Sequence, residues 1–132
     1  MARPTASAAR WHGRVTAFGL DRIYNATTLS AVTIERAAYI PPELARGEAA
    51  SYPGDIYGLG AVAYRCLAGR RPFDGQNAIE VAYRVVVDSP LRLAVPAPVR
   101  AVVERAMAKD PNDRWPSADA LAAAARTALA ER

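Results

Sequence analysis

Lysine occurs once in this chain, at Lys109, histidine once, at His12, and cysteine once, at Cys66. A single cysteine excludes an internal disulfide and fits a reducing compartment, here read as the cytoplasm. One cysteine and one histidine, far apart, cannot build a Cys/His zinc site. Long apolar runs are also missing. Ile56 to Tyr64 is the best uncharged stretch, and Arg65 ends it well short of the ~20 residues a membrane span needs. The first ten residues carry arginines without an apolar core, so no secretory signal is visible. No serine lies in a nucleophile elbow. The acidic residues form no close pair in an apolar setting, which leaves carboxylate-pair hydrolysis without a candidate.

The 132 residues suffice for one domain with a real core, and 52% of them are apolar. The net charge is +4, and sixteen of the seventeen cations are arginine. Together with abundant alanine, that bias resembles the codon usage of a GC-rich genome. The arginines are scattered, and Arg70-Arg71 is their only adjacent pair. A nucleic-acid surface asks for a clustered basic stripe interleaved with aromatics. A small basic nucleic-acid binder therefore rests on charge alone, and the reading is no nucleic acid and no membrane.

Residues 1–13 are Ala, Arg, Ser and Pro without periodicity and read as a loose tail. Arg14 to Ala17 alternates like a short strand. Leu20 to Arg36 is polar and loop-like. Pro41 and Pro42 interrupt ordinary helix, and Leu44 to Gly47 reads as one helical turn. Gly54 to Ala68 is the clearest helix. Asp55 stands at its start, Gly69 at its end and Pro72 just beyond. Ile56, Leu59, Val62, Ala63 and Leu67 form one apolar face, and Ala61, Tyr64 and Cys66 leave the other nearly as apolar. A helix apolar all round predicts a buried central helix, with Cys66 a packed core thiol. Asn77 to Val87 has Ala78, Ile79, Ala82, Val85 and Val86 at helical spacing, against the strand preference of Val85-Val86-Val87. Ser89 to Pro98 is a proline-rich loop. Pro98 to Ala108 places Val99, Val102, Val103, Ala106 and Met107 on one helix face. Ser117 caps a last helix to Leu129, with Leu121, Ala125, Ala128 and Leu129 inward. The fold class is mainly α.

Four motifs follow one another along this chain. They are Tyr39-Ile40-Pro41-Pro42-Glu43, Gly54-Asp55-Ile56-Tyr57-Gly58-Leu59-Gly60, Gly69-Arg70-Arg71-Pro72-Phe73, and Lys109-Asp110-Pro111-Asn112-Asp113-Arg114. In order and spacing they resemble the APE box, the DxxxxG helix, the G-x-x-PF turn and the DPxxR box of bacterial serine/threonine protein kinases. The resemblance covers residues 14–132. It implies a kinase-like C-terminal helical lobe without the N-terminal β lobe, with an activation segment at 17–43 and a helical core at 44–132. It further implies that Glu43 and Arg114 pair through a fork-like contact. Asp55 resembles the helix aspartate that holds the family's catalytic loop. Thr27, Thr28, Ser30 and Thr33 are candidate phosphosites by position, or else plain polar loop residues.

The departures from the family fall on the chemistry. Ala17-Phe18-Gly19 looks like the DFG triplet with alanine in place of the metal-holding aspartate. Asp21 comes four residues late. Glu35-Arg36 stand where relatives usually read Gly-Thr. Residues 3–12 hold no aspartate or asparagine, so the family's catalytic base and second metal ligand have no counterpart there, and His12 reads as a solvated ring. Gly58-Leu59-Gly60 lies inside a helix and is not a phosphate loop. Lys109 belongs to the DPxxR turn and cannot serve as the phosphate-holding strand lysine. The expectation is therefore no catalytic, cofactor or metal residues, with the family's ATP and magnesium not bound.

The reading is a truncated, pseudokinase-like domain acting through protein binding, or a decayed gene product. Its partner, or a second copy of itself, would meet the lobe face around Arg14 to Leu20. The alternative is one half of a split kinase completed by a separate N-terminal lobe.

Overall fold

The computed structural model describes residues 33–131. The loose tail, the strand at Arg14 to Ala17 and the Ala17-Phe18-Gly19 triplet lie outside them. Among the described residues six α-helices follow in order: α1 (Ile34–Ala37), α2 (Pro42–Ala45), α3 (Tyr52–Ala68), α4 (Ala78–Val87), α5 (Ala97–Ala106) and, after a 3-10 turn at Pro111–Asp113, α6 (Ala118–Glu131). Among the described residues there is no strand. The mainly helical class read from the sequence holds.

Local chemistry sets the ends of these helices. Thr33 Oγ1 accepts from the Arg36 N–H and opens α1. That helix overlaps the end of the stretch read as loop, because four residues are too few to display a period. Pro42 opens α2 at its first turn, where proline's missing donor costs nothing. α2 thus starts two residues before the turn expected at Leu44, and Gly47 follows it at φ +88°. α3 likewise starts two residues early, with Pro53 in its first turn. Asp55 stays in that turn, near the positive end of the helix dipole. Gly69, at φ +75°, ends α3 in the left-handed region. Arg65 reinforces that end by donating to the Gly69 carbonyl at 2.7 Å. Asn77 Oδ1 accepts from the Glu80 N–H and opens α4; Ser117 Oγ accepts from the Ala120 N–H and opens α6.

α3 is the hub. Its buried side chains are Ile56, Tyr57, Ala61 and Tyr64. Tyr57, Ala61 and Tyr64 meet Val81 and Val85 of α4, Val103 of α5, Phe73, Leu93 and Met107 in one apolar core. α1 and α2 pack on α4, α3 packs on α5, and α5 packs on α6. At the α3–α5 crossing a Cβ on Gly60 would stand 2.7 Å from the Ala106 Cβ. Glycine is what lets the two helices touch. Tyr64 carries a buried ring with a satisfied end, its hydroxyl donating to the Leu91 carbonyl at 2.6 Å.

The sequence misassigned three faces. α3 is not buried all round: Leu59, Val62 and Leu67 are exposed. Cys66 is exposed too and is no core thiol. The buried stripe runs through Tyr57, Gly60, Ala61 and Tyr64 instead. On α4, Ile79 points outward and Val81 inward; on α6, Leu129 is exposed. The α5 face was placed as found, with Val103, Ala106 and Met107 buried.

Candidate functional site

Arg114 follows the 3-10 turn and is only 2% exposed. Its guanidinium has five N–H donors in a planar fork, and five contacts use them. Nη1 donates to Glu43 Oε2 at 2.7 Å and Nη2 to Glu43 Oε1 at 2.8 Å. Nε donates to the Ala108 carbonyl at 2.7 Å. The remaining bonds reach the Pro53 carbonyl at 3.0 Å and the Lys109 carbonyl at 3.3 Å. One side chain therefore fastens α2, the first turn of α3 and the segment after α5. Beneath it the Tyr57 ring lies 5.0 Å from the guanidinium carbon.

Glu43 is 6% exposed, in the first turn of α2. Burial works to raise its pKa, but the hydrogen bonds and charge of Arg114 outweigh it and hold the carboxyl below its usual range. Gly54 passes close by. A Cβ there would lie 3.3 Å from Pro41 Cγ and 3.5 Å from Glu43 Oε2. The sequence did not single out Tyr57. Its hydroxyl is buried without a hydrogen-bond partner among the described residues, and burial pushes its pKa up. Only its neighbourhood in the Gly54–Gly60 motif could have pointed to it.

The other expected residues are more dispersed. Thr33 is exposed and serves as the cap of α1. Thr27, Thr28 and Ser30 lie outside the described residues. Asp55 is exposed and lies on α3 between Pro53 and Tyr57, the two α3 residues that Arg114 contacts. Glu35, which departs from the family pattern, has its own setting. Arg71 Nη1 donates to its Oε2 at 2.7 Å, and the Tyr39 hydroxyl donates to its Oε1 at 3.1 Å. The bond from Arg71 is the first cause of a lowered Glu35 pKa. This exposed pair ties α1 to the turn before α4. Arg71 also reaches Asp74 at 3.2 Å.

An apolar groove of about 470 Å3 opens between α3, α5 and α6. Leu59, Ala63 and Leu67 line one wall, Leu121 and Leu129 the other, and Gly60 with Ala106 the floor. Among the described residues no group of three or more His, Cys, Asp or Glu side chains could hold a metal. No described helix is long and apolar enough to cross a membrane.

The architecture thus consists of structural anchors around one helix, and comparison with known proteins gives them a context. The protein kinase domain family matches residues 8–124. The chain is 33% identical over 115 residues to the serine/threonine-protein kinase PknA of Corynebacterium glutamicum, covering 84% of this chain and 24% of that protein. It is 36% identical over 114 residues to PknB of Mycobacterium tuberculosis, covering 80% and 18%. With PkaA of Streptomyces coelicolor it shares 37% identity over 114 residues, covering 84% and 21%. The chain spans about a fifth of the length of these relatives. With the Glu43–Arg114 fork joining two of the four motifs, and a family match over most of its length, the chain belongs to the protein kinase domain family.

Proposed function

We propose that this chain is a catalytically inactive, kinase-like helical unit that works by binding protein. The observation that carries the reading is Ala17, which stands where the family has its metal-holding aspartate. A methyl group offers magnesium no donor atom, and phosphoryl transfer depends on the metal to offset charge on the phosphates. Residues 3–12 likewise supply no aspartate to act as base and no asparagine as second ligand. The Glu43–Arg114 fork, in contrast, is intact, so what holds the lobe together is kept where the chemistry is not. ATP and magnesium do not fit these residues. In this reading the chain works in the cytoplasm, and its partner is a protein or a second copy of itself.

The test is calorimetry of the purified chain with ATP and magnesium, alongside a phosphotransfer assay on a generic protein substrate. No binding tighter than about 1 mM and no transfer are expected. Ala17→Asp is expected to restore neither, since residues 3–12 still offer no aspartate to act as base. Metal-dependent nucleotide binding by the unaltered chain would overturn the reading.

A second reading is one half of a split kinase. The intact Glu43–Arg114 anchor favours it, because a lobe that keeps its fastening could still be completed in trans. Co-expression with an N-terminal kinase lobe decides between the two: nucleotide binding that appears only in the mixture supports the split kinase.

A further inference from the structure

The groove between α3, α5 and α6 leaves Leu59, Leu67 and Leu129 exposed along its walls. Fifteen residues line it, and none of them carries a charge, an amide or a hydroxyl. An open apolar surface of this kind marks a place where something packs. The lining falls short of the about 20–30 residues a side that a stable protein–protein interface uses. A few large apolar side chains fill such a groove better than the broad face of a second molecule. Cys66 stands in the wall, exposed, and is the only thiol of the chain.

We propose that the groove is the seat of this chain's own segment from Trp11 to Leu20, held there within one molecule. Trp11, Val15, Phe18 and Leu20 put four large apolar side chains into ten residues. They include one of the two tryptophans and one of the two phenylalanines of the chain. Seating them removes two apolar surfaces from water at once.

The length of chain that joins the segment to the helices permits this contact wherever the groove opens. From Leu20 to Thr33, where α1 is capped, the chain makes thirteen steps. Extended, they span about 43 Å. A compact unit of about 100 residues is roughly 35 Å across. The tether also raises the effective concentration of the segment to the millimolar range, which a second copy at ordinary concentration does not match. The inference does not depend on the chain being inactive. It bears on which face a partner can meet: a partner for Arg14 to Leu20 would have to draw the segment out of the groove.

The experiment follows the reaction of Cys66 with N-ethylmaleimide in the full chain, at several protein concentrations, beside Phe18→Asp. The seated segment should shield the thiol, so Phe18→Asp should react several-fold faster, and the rate of the unaltered chain should not change on dilution. Unchanged hydrogen-exchange protection of residues 78–87 in Phe18→Asp shows that the lobe is still folded. Equal rates in the two proteins would overturn the proposal. Shielding that fades on dilution would also overturn it, by giving the groove to a second copy. Should Phe18→Asp fail to fold, disulfide trapping decides. Under mild oxidation Phe18→Cys should bridge to Cys66 within the monomer far faster than Thr5→Cys does. Equal trapping at positions 5 and 18, or bridges only between molecules, would overturn the proposal.

Discussion

Arg114 has no spare donor, so its removal cannot be repaired locally. Arg114→Ala leaves the Glu43 carboxylate buried and three carbonyls short of a partner. Breaking a buried pair in this way costs about 3–5 kcal/mol, more than the intact pair contributes over an apolar substitute. Arg65→Ala is the control. It loses one exposed bond to the Gly69 carbonyl and should cost well under half as much. Urea titrations measure both, and equal small losses would show that the fork holds nothing in place. The same pair predicts a pH dependence. The folded Glu43 pKa is depressed, so its contribution is fully present above the unfolded value. It disappears as pH falls through the lower, folded value. Stability should therefore decline below the ordinary carboxylate range, and Glu43→Gln should flatten that decline while lowering stability at neutral pH. An acid limb identical in the two proteins would assign the decline to other carboxylates.

At the scale of elements, two glycines of α3 separate packing from propensity. Gly60 lies against Ala106 and Met107, where an added Cβ would come within 2.7 Å and 2.9 Å. Gly60→Ala should force α3 and α5 apart and cost about 1–3 kcal/mol. Gly58, two residues away on the same helix, has nothing within 4 Å of the same added atom. Gly58→Ala should instead stabilise by about 0.5–1 kcal/mol, because alanine loses less backbone freedom. Thermal unfolding of the two variants should move in opposite directions; the same sign for both would mean that the α3–α5 contact is looser than the structure has it. The contrast also marks what the sequence could reveal. The C-terminal end of α3 and the start of α6 were legible from Gly69 and Ser117, since caps are local chemistry. The buried face of α3 was not, because a helix with Leu59, Val62 and Leu67 on one side and Tyr57, Ala61 and Tyr64 on the other has no apolar direction. Small Gly60 mattered more than large Leu59, and no hydropathy pattern says so. The Glu43–Arg114 contact joins residues 71 positions apart, so only the resemblance to a family could suggest it.

For the molecule as a whole, stability should be uneven, and α6 should be its least protected helix. α3 and α4 contribute Tyr57, Tyr64, Val81 and Val85 to the core. α6 buries only Ala128 fully and packs on α5 alone among its stronger contacts. Its start is held by the Ser117 cap and by the Ala118 N–H donating to the Tyr52 hydroxyl at 3.0 Å. Its Leu121 and Leu129 face the open groove rather than α3. Segments with few buried apolar contacts open at a free energy below that of global unfolding. Amide hydrogen exchange at neutral pH should therefore release residues 118–131 before 56–67 and 78–87. Tyr52→Phe, which deletes the acceptor at Ala118, should speed exchange in α6 without changing α4. If α6 instead exchanges together with α3, in one cooperative step, its attachment through α5 is as strong as the core, and the groove beside it is a rigid feature of the fold. Early release of α6 means that any partner seated in the groove has to order that helix as it binds, and slower exchange across residues 118–131 in the complex would register that ordering.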